Sequence, residues 1–162
     1  MRGGAVPAAV LVAAAGLLLA ACGGSSTGGD SAEEQTAEQQ LADDAAPTPV
    51  CVDQARSAGA QDVPAAFPTS FPMPAGAVVY ATQERSEGRT IVYAVVDDDV
   101  KTVLKTLQTS LPRAGFTPKE GEVEEHDAES DWTGNGYTGR WAIREVAGCT
   151  EQTSVTVLSA KQ

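Results

Sequence analysis

Histidine occurs once in this sequence, as His126. Any imidazole-based acid–base mechanism would rest on that one ring, inside the acidic run from Glu120 to Glu129. Residues 50–162 contain no Gly-x-Ser-x-Gly elbow, no His-Glu-x-x-His pair and no glycine-rich phosphate loop. No cysteine has a histidine or a Cys-x-x-Cys partner close by. Familiar hydrolytic, zinc-dependent, thiol and nucleotide chemistries are thereby disfavoured. Only carboxylate chemistry of the glycosidase kind keeps candidates, the unexceptional Glu124 and Glu125. The expectation is a protein that is not an enzyme and needs no cofactor.

Positive charge is also scarce. Eleven Lys and Arg stand against 22 Asp and Glu, a formal net charge of −11. That balance argues against nucleic acid as a partner and against electrostatic docking on anionic lipid. Plain solubility explains it well. Long apolar runs are limited to one, Val6 to Ala21. It has the length of a secretory signal core with its cleavage zone and is short for a spanning helix of roughly 20 residues.

The next stretch of chain is opposite in character to the apolar run. Gly23 to Pro49 is built from small, polar and acidic residues, with Leu41 its only large apolar side chain. Six acids in it face no Lys or Arg. Such a stretch cannot bury enough surface to offset its chain entropy and reads as a disordered acidic tether, spanning roughly 30 Å or more. The rest, residues 50–162, is one small domain by length. It carries ten basic and sixteen acidic residues, net −6.

Along the domain, Cys51 to Ala58 predicts a short helix ended near Gly59. Four prolines between Pro64 and Pro74 forbid regular helix and central strand, giving an extended entry segment with Phe67 and Phe71 as core plugs. Ala77–Thr82 and Thr90–Val96 are β-branched and read as a hairpin around the polar turn Arg85–Arg89. Val100, Val103, Leu104, Leu107 and Leu111 recur at helical spacing, behind Asp97-Asp98-Asp99 as N-cap and first-turn charge. Pro112 and Gly115 should end that helix. The three aspartates lack the alternating ligand spacing of an EF-hand loop. Phe116 opens a further strand. The acidic run after it reads as a solvated edge or loop; Glu124, His126 and Asp127 are its candidate cation set.

Asn135-Gly136 is the strongest turn signal, suited to the positive φ of a two-residue type I′ hairpin. That loop sets a register: Gly134 opposite Tyr137, Thr133 opposite Thr138, Trp132 opposite Gly139, Asp131 opposite Arg140. Alternation then puts Trp132, Tyr137, Gly139, Trp141 and Ile143 on one face. Trp132, Tyr137 and Trp141 are either core beneath Val103, Leu104 and Leu107, or a binding face able to stack on a sugar or an apolar partner. After a turn at Gly148-Cys149, Thr153 to Ser159 closes the sheet. The economical arrangement is α+β: an antiparallel sheet with one main helix packed on one face, a two-layer sandwich.

Leu19-Ala20-Ala21-Cys22 ends the apolar run. It resembles the lipobox of bacterial lipoproteins, and the overall organisation is similar to that of small lipoproteins of actinobacterial type. The resemblance covers the first 22 residues. It implies a lipoprotein signal peptide over residues 1–21, cleavage after Ala21 and lipid on the Cys22 thiol. Burial of acyl chains at about 0.8 kcal/mol per CH₂ makes two or three chains a firm anchor. Residues 22–49 then link a lipid-anchored cysteine to a domain on the extracytoplasmic face of the cell membrane. Cys51 and Cys149 are left as an even pair in an oxidising compartment, where a disulfide is expected. The functional expectation is a surface-tethered interaction or binding module with a protein or glycan partner. A carrier or sensor of an apolar small molecule or lipid is the alternative, separated from it by whether helix and sheet close on each other.

Overall fold

The computed structural model describes residues 46–162; the signal segment, Cys22 and the tether through residue 45 lie outside the described residues. The element order is α1 (Val52–Ala58), β1 (Val78–Glu84), a 3₁₀ turn (Ser86–Gly88), β2 (Thr90–Val96), α2 (Val100–Arg113), β3 (Phe116–Val123), β4 (Asp127–Gly134), β5 (Tyr137–Glu145) and β6 (Thr153–Lys161). The strands form one six-stranded sheet in the order β1-β2-β6-β5-β4-β3. Every adjacent pair is antiparallel.

β6 is last in the chain yet central in the sheet, between β2 and β5. It joins the β1–β2 hairpin to the β3–β4–β5 meander, so the sheet is complete only when residues about 60 positions apart meet, as Val157 does with Val92. β2 is buried at all seven positions. This accounts for its unbroken Thr-Ile-Val-Tyr-Ala-Val-Val composition, since a strand covered on both faces has no polar side to alternate. The edges are managed differently. β3 exposes Glu120 and Glu122 and breaks register between Pro118 and Gly121; charge, proline and a bulge all discourage a further strand. β1 is bulged at Tyr80.

The Asn135-Gly136 hairpin has the register expected, including Trp132 opposite Gly139 and Asp131 opposite Arg140. Asn135 and Gly136 both have positive φ, 52° and 79°, as a type I′ turn requires. The Asn135 amide also donates to the Ala114 carbonyl at 2.9 Å and to Ser70 Oγ at 3.2 Å. The turn is thereby tied to the end of α2 and to the proline-rich segment.

α2 begins as its sequence dictates. Asp99 caps it, accepting from the Thr102 amide at 2.8 Å, and those hydrogen bonds hold the Asp99 carboxyl below its ordinary range. The helix does not stop at Pro112. It continues one residue further, to Arg113, because proline in the last turn removes only the hydrogen bond to the Gln108 carbonyl, four residues earlier. Val100, Val103, Leu107 and Leu111 are buried and share one core with Trp132, Trp141, Ile143 and Val155. Leu104 lies at the rim of that core, half-buried.

The proline-rich segment is not extended. Phe67 N–H donates to the Pro64 carbonyl, Phe71 N–H to Pro68 and Ala77 N–H to Pro74, at 2.9–3.1 Å. Pro64, Pro68 and Pro74 each open a tight turn, their fixed φ compatible with that position. The turns drop Phe67 and Phe71 into the core, where Phe71 meets Trp132 with ring centroids 5.2 Å apart.

Candidate functional site

Of the residues singled out in the sequence, Cys22 lies outside the described residues. Cys51 and Cys149 are joined by a disulfide, with Cα atoms 5.7 Å apart and 98 positions of chain between them. The bridge sits in a second apolar cluster with Val52, Ala55, Val78, Val95 and Val146. Here α1 lies against side chains that point away from the α2 core. Its first amide, on Val52, donates to Gln152 Oε1 at 2.9 Å, and Gln152 Nε2 donates to Asp97 at 3.1 Å. One glutamine, in the turn before β6, thus ties the start of α1 to the turn after β2.

Trp132, Tyr137 and Trp141 share one side of the hairpin. Trp132 and Trp141 are 0% and 2% exposed, inside the core, and Tyr137 is half-buried at its rim. The two tryptophans therefore form no exposed binding face. A sheet in a domain this small must bury its most apolar side, and α2 and the Phe67–Phe71 segment supply the cover.

His126 is exposed, with Nδ1 2.6 Å from Glu145 Oε2 and Nε2 3.9 Å from Glu125. Asp99 is occupied as a helix cap. Among the described residues, no group of three or more His, Cys, Asp or Glu side chains is arranged to hold a metal ion.

The candidate surface is on the other side of the sheet, on residues that sequence reasoning did not single out as a site. Register places Ala81 beside Tyr93, Gln83 beside Ile91, Tyr93 beside Thr156, Ile91 beside Leu158 and Leu158 beside Arg140, all facing away from the α2 core. Tyr80 joins them through the β1 bulge, and its ring lies 6.4 Å from that of Tyr93. Tyr93 Oη donates to Gln83 Oε1 at 3.0 Å, and Arg85 Nη2 donates to the same oxygen at 2.7 Å. Burial, and then Tyr93, pushes the Tyr80 phenol up to about 12. Burial raises Tyr93 as well, opposed by Arg85. Both phenols are protonated at neutral pH.

Further along this side, Arg140 Nε reaches Asp131 Oδ1 at 2.8 Å and Nη1 reaches Glu129 Oε1 at 3.1 Å. Between the phenols and this ion-paired group lie the half-buried Ala142, Thr156 and Leu158. Tyr93 and Ile91 are themselves buried, 3% and 2% exposed, so this side presents the half-buried Tyr80, Ala81, Gln83, Thr156 and Leu158, beside the ion-paired Arg140. It suits recognition through stacking and hydrogen bonding. The sequence signal was weak, because the continuous apolar run of β2 hides which of its side chains face which side.

No family model, curated protein or solved structure matches this chain.

Proposed function

We propose that this protein is a non-catalytic binding module, held on the extracytoplasmic face of the cell membrane by lipid on Cys22. The observation that carries the reading is the division of three cysteines. Cys51 and Cys149 pair with each other, which leaves Cys22, at the end of Leu19-Ala20-Ala21-Cys22, for the lipid. A disulfide also fits an exported, oxidising setting. Among the described residues, no helix is long and apolar enough to cross a membrane.

We further infer a two-layer sandwich in which α2 is the main layer on one side of the sheet. The other side then carries recognition of a protein or glycan through the half-buried Tyr80, Gln83 and Leu158, with the buried Tyr93 ring supporting Tyr80. Leu107 and Leu111 are fully buried with Trp132 and Trp141. That packing supports a binding module over a carrier holding an apolar molecule between helix and sheet.

Cell fractionation tests the anchor. Cys22→Ser should move the protein out of the membrane fraction or leave the precursor uncleaved. Normal processing with unchanged membrane association would refute it. Binding to cell-wall glycan fragments that is lost in Tyr80→Ala, with the fold intact, would support the recognition face.

A further inference from the structure

Asn135 and Gly136 form the tip of the β4–β5 hairpin, and both are exposed. The Asn135 side chain is nonetheless held. Its Nδ2 donates to the Ala114 carbonyl at 2.9 Å and to Ser70 Oγ at 3.2 Å. A carbonyl only accepts, so the Ala114 contact fixes which end of the amide is nitrogen. Oδ1 lies over Gly115, 2.9 Å from where a Gly115 Cβ would be. Gly115, at a φ of 85°, both turns the chain after α2 and leaves the room this amide fills. The Gly136 carbonyl accepts from the Gln162 N–H at 2.9 Å, which pins the other half of the turn. One exposed amide thus latches the hairpin tip to the end of α2 and to the turn at Ser70.

Asparagine followed by glycine is chemically labile, because no side chain shields the next backbone nitrogen from the asparagine Cγ. We propose that Asn135 is a deamidation site gated by this latch. The Gly136 nitrogen forms a bond to Asn135 Cγ and gives up its proton to solvent base. The Cγ–Nδ2 bond breaks, and Nδ2 leaves as ammonia. Water then opens the succinimide at either carbonyl carbon, giving aspartate or isoaspartate. No oxidant or reductant takes part. While latched, the amide resists this course. Departing nitrogen must become pyramidal and take up a proton, whereas its two donations hold the amide planar.

The product does not latch again. An aspartate carboxylate at neutral pH only accepts, and the Ala114 carbonyl has no proton to offer. The carboxylate would also stand at the C-terminal end of α2, where the helix dipole disfavours negative charge. Isoaspartate adds a backbone atom to a two-residue loop whose geometry sets the strand register. Each local opening of the tip therefore exposes it to permanent detachment, and the modified fraction records how often it has opened.

Peptide mapping by mass spectrometry of the full chain, held at mildly alkaline pH, tests the site. The mass gain of amide-to-acid conversion should appear on the Asn135 peptide, as separable aspartate and isoaspartate forms. It should appear at least about tenfold faster in urea-unfolded than in native chain, since two ordinary hydrogen bonds bias the opening by about that factor. Ser70 is exposed, and Ser70→Ala should speed the native reaction several-fold while the amide spectrum keeps its dispersion. Asn135→Asp should lower the urea midpoint. An Asn135 that stays unmodified in the unfolded chain would overturn the site. Equal rates in native and unfolded chain, or a native rate unmoved by Ser70→Ala, would overturn the gate. The native-against-unfolded comparison stands without any variant. A wild-type midpoint for Asn135→Asp would overturn the claim that the product cannot latch.

Discussion

Trp132 lies over Gly139, its Cζ2 and Cε2 atoms 2.6 and 2.8 Å from the position a Gly139 Cβ would take. The same Cβ would also collide with the Leu158 carbonyl oxygen. One partner is a ring locked in the core and the other is backbone, so neither can move aside. Gly139→Ala should destabilise by about 1–3 kcal/mol or more, through forced overpacking. Urea unfolding should show a lower midpoint; an unchanged midpoint would mean that the ring is free to shift.

Trp141 tests the core assignment separately. Trp141→Ala removes a ring packed beside Val157 and Ile143 and should cost about 3–5 kcal/mol. Wild-type emission should be blue-shifted and poorly quenched by iodide. Red-shifted, readily quenched emission with an unmoved melting temperature would contradict burial of both tryptophans.

The disulfide should be visible in both mass and stability. The Cys51–Cys149 loop spans 98 positions, for which chain entropy predicts roughly 4–5 kcal/mol of stabilisation. Replacing both cysteines by serine should lower the unfolding free energy by about that amount. The native, unreduced protein should leave Cys51 and Cys149 unalkylated.

Alkaline pH should weaken the fold through Tyr80. Its folded pKa of about 12 lies above the unfolded value of about 10. The folded state therefore keeps a proton that the unfolded chain gives up. Stability from this group is complete below pH of about 10 and is lost as pH rises toward 12. Tyr80→Phe should flatten that decline in denaturant midpoints measured across the window. Asp99 has the opposite sign: its carboxyl is held low, so its contribution is present above the ordinary carboxylate range and fades as pH falls through the lower folded value.

The sequence made local structure legible wherever two cues agreed. Asn135-Gly136 and the alternation on either side fixed β4 against β5, residue for residue. Asp99 and the three-to-four spacing of valines and leucines fixed α2. What escaped was non-local. Nothing in Thr153–Lys161 says that it belongs between β2 and β5, because its alternation suits an edge as well as a centre. The prolines from Pro64 to Pro74 exclude helix and central strand, but turn and extended chain satisfy that exclusion equally. The Tyr80–Tyr93 pair depends on a bulge at Tyr80 and on α1 packing against Val78 and Val95, with Tyr80 at the rim of that cluster. Neither leaves a mark in composition.

The Cys51–Cys149 bridge also decides how the domain responds to tension. A pull applied ahead of residue 51 enters at Cys51 and crosses the covalent link to Cys149. When that pull is taken up beyond Cys149, the intervening chain, which holds β1 to β5, is short-circuited and is not drawn out. Between residues 51 and 162, only the 13 residues after Cys149 can be released, a length of about 45 Å at full extension. Even that length resists, because β6 is clamped between β2 and β5 and two ladders must shear together to free it.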